Sequence, residues 1–458
     1  MKINYIQGDS EFHKNLNKFS CLMLGIGGLI GGGIFSIIGV ISIFAGAYSY
    51  ISYFITGIVA LITVYSYQKL SFKWCSPGGE YICIKNSFSR SKLKILGPFI
   101  GLLLYFGYIA TMALYAYTFS IYFILFFDLR YNYFLVAMII TLLFSIFILF
   151  NLKGVKESLR IQSALVIIYI SIFLLFVILG MKFAMQTPKL MVKNVGLDNK
   201  SIIKINILGI ILGSASILVS YEGFQLIAYE TYEMKDINSG LKMMKWSIIV
   251  AMIIYCLVGF TTMAILGPFE LLNKGVHDAE VSIAKAALNS MGTYGMFIII
   301  ICALLSTASA LNATILGSSR LAFTMSKDKI LPKKFSEINK NKVPYISIII
   351  TGVLSILLTL FNSGALALAS LTGLIFSQIF FIINFTNFKA RKETNSNAFL
   401  PIIGMILTGS FLIILFIYSF LNFEQEIYSL ISFSIIEGVT LFFVLHINNK
   451  NKNNNIKL

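Results

Sequence analysis

Three groups of residues in this chain have the types and spacing to do chemistry. The densest is residues 25–39, GIGGLIGGGIFSIIG, with glycine at 25, 27, 28, 31, 32, 33 and 39. It lies in an apolar run from Ser20 to Phe44, long enough to cross a membrane, which takes roughly 20 apolar residues. Each glycine lowers helix stability by about 1 kcal/mol relative to alanine, so Gly31, Gly32 and Gly33 mark where such a helix opens. The exposed N–H and C=O groups must then face protein or a cavity, because lipid satisfies neither. The N-terminus of the second half-helix suits an anion and the carbonyls ending the first half suit a cation, so a zwitterion fits both. The same glycines also form GxxxG pairs, Gly27 with Gly31 and Gly28 with Gly32, which let helices pack closely. A nucleotide-binding glycine loop needs a preceding strand and a soluble βαβ unit, and these apolar flanks speak against it.

The second group is Tyr221, Glu222, Gly223 and Gln225, inside another apolar run, ILGSASILVSYEGFQLIAYETYEMKD. An ionisable residue within a span is costly and faces a cavity or a partner. Glu222 either meets a substrate or coupling proton, or hydrogen-bonds irregular backbone. Glu230 and Glu233, near the end of the same run, read as interfacial. The third group is Ser306, Thr307, Ser309, Asn312 and Thr314. Ser306, Ser309 and Asn312 recur at i, i+3 and i+6, a polar stripe on one helix face. Its oxygens suit either a hard cation such as sodium or bonds between helices.

Other chemistries find no support. His13, His277 and His446 are scattered, and no CxxC, HExxH or Walker A pattern occurs, so no metal, cofactor or direct ATP coupling is expected and the chain is not read as an enzyme. Of Cys21, Cys75, Cys83, Cys256 and Cys302, none falls in an expected external loop, so no structural disulfide is expected.

The elements that must position these groups are membrane helices. The 458 residues are 57% hydrophobic and 12% charged, where soluble domains carry about 25% charged residues. Twelve apolar spans are expected, near 20–44, 46–67, 96–125, 132–150, 161–181, 204–229, 246–266, 294–323, 344–361, 364–387, 398–422 and 427–446. With the N-terminus inside, 28 of the 36 lysines and arginines fall on the cytoplasmic side, the positive-inside asymmetry. The 182–204 loop, with five lysines outside, fits this topology least well. The net charge of +17 therefore reads as topology and contact with anionic lipid rather than nucleic-acid binding. Residues 278–290 read as an external amphipathic helix, with Val281, Ala284 and Leu288 on one side. Tyr169 reads as a packed aromatic in the fifth span. Glu437 is an acid in the last span, outside the candidate core, and fits an oligomer contact. The tail from 447 to 458 is low-complexity and expected to be disordered.

Five landmarks, in order, resemble the amino acid–polyamine–organocation permeases. They are IGGGIF (30–35), SPGGEY (76–81), NLKGVKESLRIQ (151–162), SYEGFQLIAYETYEMKD (220–236) and ALNATILGSSRLAFTMSKDKILP (310–332). The resemblance covers about residues 15–390. It implies an all-α fold of twelve transmembrane helices: a five-plus-five inverted repeat with broken helices 1 and 6, and two further C-terminal helices. The divisions implied are a cytoplasmic segment 1–19, a transport core 20–390 with repeats 20–181 and 204–387, two helices over 398–446, and the tail.

Carried over by position, the resemblance implies that Ile30, Gly31, Gly32, Gly33, Ile34 and Phe35 receive the α-carboxyl and α-amino groups of an amino acid. Val219, Ser220, Tyr221, Glu222 and Gly223 form the other half. Asn312 and Thr314 join them from span 8, and groups on spans 3, 6, 8 and 10 select the side chain. Coupling candidates are Glu222, Tyr169, Ser306 and Ser309. Tyr169 stands where some members place an ion-substituting lysine, which speaks against that coupling here. No cysteine lies between spans 3 and 4, so no disulfide-linked heavy chain is expected, and the chain is read as a monomer or homodimer.

The expectation is an amino acid permease of the plasma membrane, a proton symporter or exchanger working by alternating access and without need of sodium, with both termini cytoplasmic. The alternatives are a carrier of polyamines or other organic cations, an ion channel, or an amino-acid-sensing receptor.

Overall fold

The computed structural model describes residues 16–74, 79–89, 91–153, 159–196, 207–229, 234–274, 276–341, 343–362 and 364–455. The turn residues Ser76, Pro77 and Gly78, the middle of NLKGVKESLRIQ, and Cys75, Glu230, Glu233 and His13 lie outside them. Among the described residues the single β pairing is a parallel bridge between Leu16 and Met234. All other regular structure is helical.

The chain enters its first span at Asn17, whose side chain accepts the Ser20 N–H at 2.8 Å and caps α1 (Lys18–Leu29). A 43° bend separates α1 from α2 (Gly32–Ala45). Then follow α3 (Ser49–Lys73), the short connector α4 (Gly79–Ser87), α5 (Leu96–Phe126), α6 (Tyr133–Leu152), α7 (Leu159–Gln186) and the short α8 (Pro188–Asn194). The second half opens with α9 (Ile207–Ser216), a 3₁₀ turn (Ile217–Tyr221) and the short α10 (Leu226–Tyr229). It continues through α11 (Ile237–Lys274), the connector α12 (Val276–Glu280), α13 (Ser282–Lys327), α14 (Tyr345–Phe361), α15 (Ala365–Lys389) and α16 (Arg391–Thr394). The last two spans are α17 (Phe399–Leu421) and α18 (Phe423–Asn455).

Ten of these helical stretches are long and apolar enough to cross a membrane, the bent pair α1 and α2 makes an eleventh, and the shorter apolar α14 completes the series. They match the twelve expected spans in order. Two expectations need correction. The amphipathic helix over 278–290 is split, since α12 ends at Glu280 and Ser282 begins a helix that turns into the membrane at Gly292. The tail is not irregular from residue 447, because α18 continues to Asn455.

Four spans of the first five pack on their counterparts in the second five: α3 against α11, α5 against α13, α6 against α14, and the first broken span against the second. That pairing is what an inverted repeat produces, and it places both breaks at the centre. α6, α7 and α17 lie at the periphery and are mostly unburied, with Phe134, Ile178 and Leu421 among the apolar side chains left facing outward. In lipid this surface is solvated rather than stranded.

Candidate substrate site

The two breaks touch. The first leaves Ile30 and Gly31 in extended conformation between α1 and α2. The second leaves Glu222 extended after the 3₁₀ turn, and Gly223 at φ 125°, a region that favours glycine. A Cβ on Gly28 would lie 2.8 Å from the Gly223 carbonyl, and one on Gly223 would strike the Gly28 carbonyl. Backbone therefore meets backbone where the spans cross, and no side chain fits between. Gly33 faces Ser220 in the same way, and a Cβ on Gly32 would lie 2.7 Å from Thr118 Oγ1 of α5.

Tyrosines on neighbouring helices meet the carbonyls of the opened backbone. Tyr255 Oη of α11 lies 2.6 Å from the Leu29 carbonyl and 3.0 Å from the Ser220 carbonyl, bridging the two breaks. Tyr53 donates to the Gly33 carbonyl at 3.1 Å, Tyr221 to the Tyr53 carbonyl at 2.8 Å, and Tyr122 to the Phe35 carbonyl at 3.0 Å. This answers the accounting problem of a broken span, whose freed groups need internal partners. Ile30, Gly31, Gly32, Gly33, Ile34, Phe35, Val219, Ser220, Tyr221, Glu222 and Gly223 are thus gathered at one buried centre. Within it Ser220 Oγ is buried and closes no hydrogen bond.

Glu222 has a local partner. Its Oε1 accepts from Gln225 Nε2 at 3.1 Å, and Gln225 Oε1 accepts the Gly223 N–H at 2.9 Å. The polar knot read from the sequence is a closed circuit that holds the break open. Thr111 of α5 also faces Glu222.

The other candidates stand elsewhere. Asn312 Oδ1 accepts from Asn151 Nδ2 of α6 at 2.8 Å, so this end of the stripe binds a neighbouring helix. Thr314 and Thr307 donate to their own helix, to the Ala310 carbonyl at 2.8 Å and the Ala303 carbonyl at 2.6 Å, and Ser306 lies 3.2 Å from the Ala303 carbonyl. Ser309 is half-buried on the same helix, and Tyr169 is buried on α7.

Three buried acids escaped the sequence reading, Glu80, Glu280 and, on α18, Glu426. Glu80 of α4 and Glu280 of α12 sit in the connectors between second and third spans of their repeats. A signal was present: GEYICIK at 79–85 and AEVSIAK at 279–285 share an acid followed five residues later by lysine. Tyr81 of α4 donates to Asp328 Oδ2, and Lys85 pairs with the same carboxylate at 2.7 Å. Two of the landmark motifs, SPGGEY and the run ending SKDKILP, are thereby joined at the α4 connector.

Two broken spans crossing at the centre of an inverted repeat define a membrane carrier rather than an enzyme. The chain belongs to the amino acid permease family, whose model matches residues 16–443. It is 27% identical over 440 residues to an uncharacterized protein of Methanocaldococcus jannaschii, with 95% of each chain covered. It is 26% identical over 425 residues to the methylthioribose transporter of Bacillus subtilis, with 86% of each covered. The fold is shared with the crystal structure of a manganese transporter of Eremococcus coleocola, at a TM-score of 0.58 and 12% identity, covering 93% of each chain.

Proposed function

We propose that this chain is a secondary transporter of amino acids in the plasma membrane, cycling by alternating access as a proton symporter or exchanger, with both termini cytoplasmic. The crossing of the two breaks carries this reading. The N–H groups opening α2 face a region that suits a carboxylate, and the carbonyls ending α1 suit an ammonium group. Residues 30–35 and 219–223 hold the common backbone of the substrate, and the free hydroxyl of Ser220 offers it a further hydrogen bond.

The test is counterflow of labelled amino acids in proteoliposomes holding the purified protein. Amides and N-acetyl derivatives of the transported amino acid compete poorly if both ends of the zwitterion are read. Equal competition by both derivatives refutes the half-helix site. Methylthioribose and polyamines belong in the same panel, the first because of the Bacillus relative. Counterflow confined to either of them replaces the amino acid reading.

A further inference from the structure

Glu80 and Glu280 hold equivalent positions but differ in their surroundings. Glu280 has both oxygens engaged: Oε1 accepts the Ala365 N–H at 2.9 Å, and Oε2 lies 3.1 Å from Tyr117 Oη and 3.2 Å from His277 Nδ1. Every oxygen of the Glu280 side chain thereby has a partner. Its hydrogen bond to Glu280 in turn raises His277 above the ordinary imidazole value.

Glu80 is as deeply buried, at 2% exposure, with fewer partners. Its Oε2 accepts from Tyr229 Oη at 2.9 Å, and Tyr229 Oη lies 3.0 Å from Tyr108 Oη. Its Oε1 closes no hydrogen bond, and neither does the buried Tyr67 hydroxyl beside it. The Tyr67 hydroxyl faces the same carboxyl, able to donate to it when it is ionised and to accept from Oε1 when it is protonated. Burial pushes the Glu80 carboxyl up to about 7.

The groups facing Glu80 are Tyr67 from α3, Tyr108 from α5, Tyr229 from α10 and, further in, Glu222. Tyr81 and Lys85 of α4 itself are committed to Asp328 at the end of α13, and α15 brings Phe385 onto Phe88. Among the described residues, no cation contributes to the protonation of Glu80. Tyr67 and Tyr108 are each within electrostatic reach of both Glu80 and Glu222, so titratable groups run from the substrate crossing to the cytoplasmic connector.

We propose that Glu80 is the proton-carrying group of the transport cycle, protonated while α4 seals the cytoplasmic side and ionised once α4 moves away and water reaches it. The proton arrives from the substrate side by way of Glu222 and leaves Glu80 Oε1 for cytoplasmic water, so the group ends each cycle as it began. This deepens the permease reading and rests on its alternating access.

The sign follows from linkage. A water-exposed carboxyl has the ordinary value of 4.5, and the sealed one about 7. The sealed state binds the extra proton between those values, so sealing is most favourable in acid and loses this support as pH rises through about 7.

Two measurements on the full-length protein in liposomes test the assignment. The first is deuterium uptake across α4 against pH, corrected for intrinsic exchange. Uptake in wild type should rise as pH passes from 4.5 to about 7, and stay flat in Glu80→Gln, which keeps the neutral form at every pH. Tyr229→Phe removes a donor to the carboxylate and should move the wild-type rise to higher pH. The second is accumulation of a labelled mixture of the protein amino acids under an imposed pH step. One unit can drive at most about tenfold accumulation per coupled proton, and Glu80→Gln should abolish it.

An unchanged α4 profile in Glu80→Gln overturns the proposal. So does full gradient-driven accumulation in that variant, or loss of pH dependence in Glu280→Gln instead. Wild type that accumulates none of the mixture yet shows counterflow overturns the proton coupling while leaving the amino acid reading in place.

Discussion

Glu222 can be read through what each substitution leaves behind. Glutamine there still offers an oxygen to Gln225 Nε2 and preserves the circuit to the Gly223 N–H. Alanine leaves Gln225 as a buried amide without its acceptor, which costs about 1–3 kcal/mol. Glu222→Gln should therefore unfold in detergent near the wild-type temperature and keep counterflow, whereas Glu222→Ala should melt earlier and transport weakly. A Glu222→Gln protein without counterflow would show that the charge itself serves the cycle. The glycine triplet and Glu222 were legible in the sequence because both are anomalies in a membrane span. Glu80 and Glu280 were not, because a short polar connector makes an acid look ordinary until the fold buries it. Asn312 shows another limit of the sequence. A helical stripe tells which residues share a face but not which neighbour that face meets, and here the neighbour is Asn151.

At the scale of elements, the crossing of the broken spans has no spare volume. Gly28→Ala or Gly223→Ala puts a methyl group into the partner's carbonyl, and Gly223 also sits at φ 125°. Either should abolish uptake even when the protein reaches the membrane. Gly438→Ala on α18 meets nothing within 4 Å and should behave as wild type. Uptake by Gly28→Ala at wild-type rates would contradict so tight a crossing. The hydroxyls of α13 bear on the driving ion. Thr307 and Thr314 donate to their own helix, and Asn312 is tied to α6, so the stripe serves bonds within and between helices. Transport should persist when choline replaces sodium on both sides of the liposome. A strict sodium requirement would reverse the assignment. All twelve spans were legible because apolar length is a strong signal, and the bends at Gly267 and Gly292 were not, since a lone glycine rarely declares its φ.

In the whole molecule, a peripheral layer of α6, α7 and α17 presents apolar side chains outward, while the polar contacts gather between the two repeats. Rocking one repeat against the other therefore disturbs the polar interior and spares the lipid-facing surface. Tyr255 shows what this means for speed. A phenol has one hydrogen to give, and here two carbonyls, one from each broken span, lie within reach of it. As the halves shift, that hydrogen can turn from Leu29 to Ser220 through a small rotation, without passing through a state in which it is unbonded. Tyr255→Phe removes that shared hydrogen and should slow counterflow while leaving substrate affinity nearly as it was.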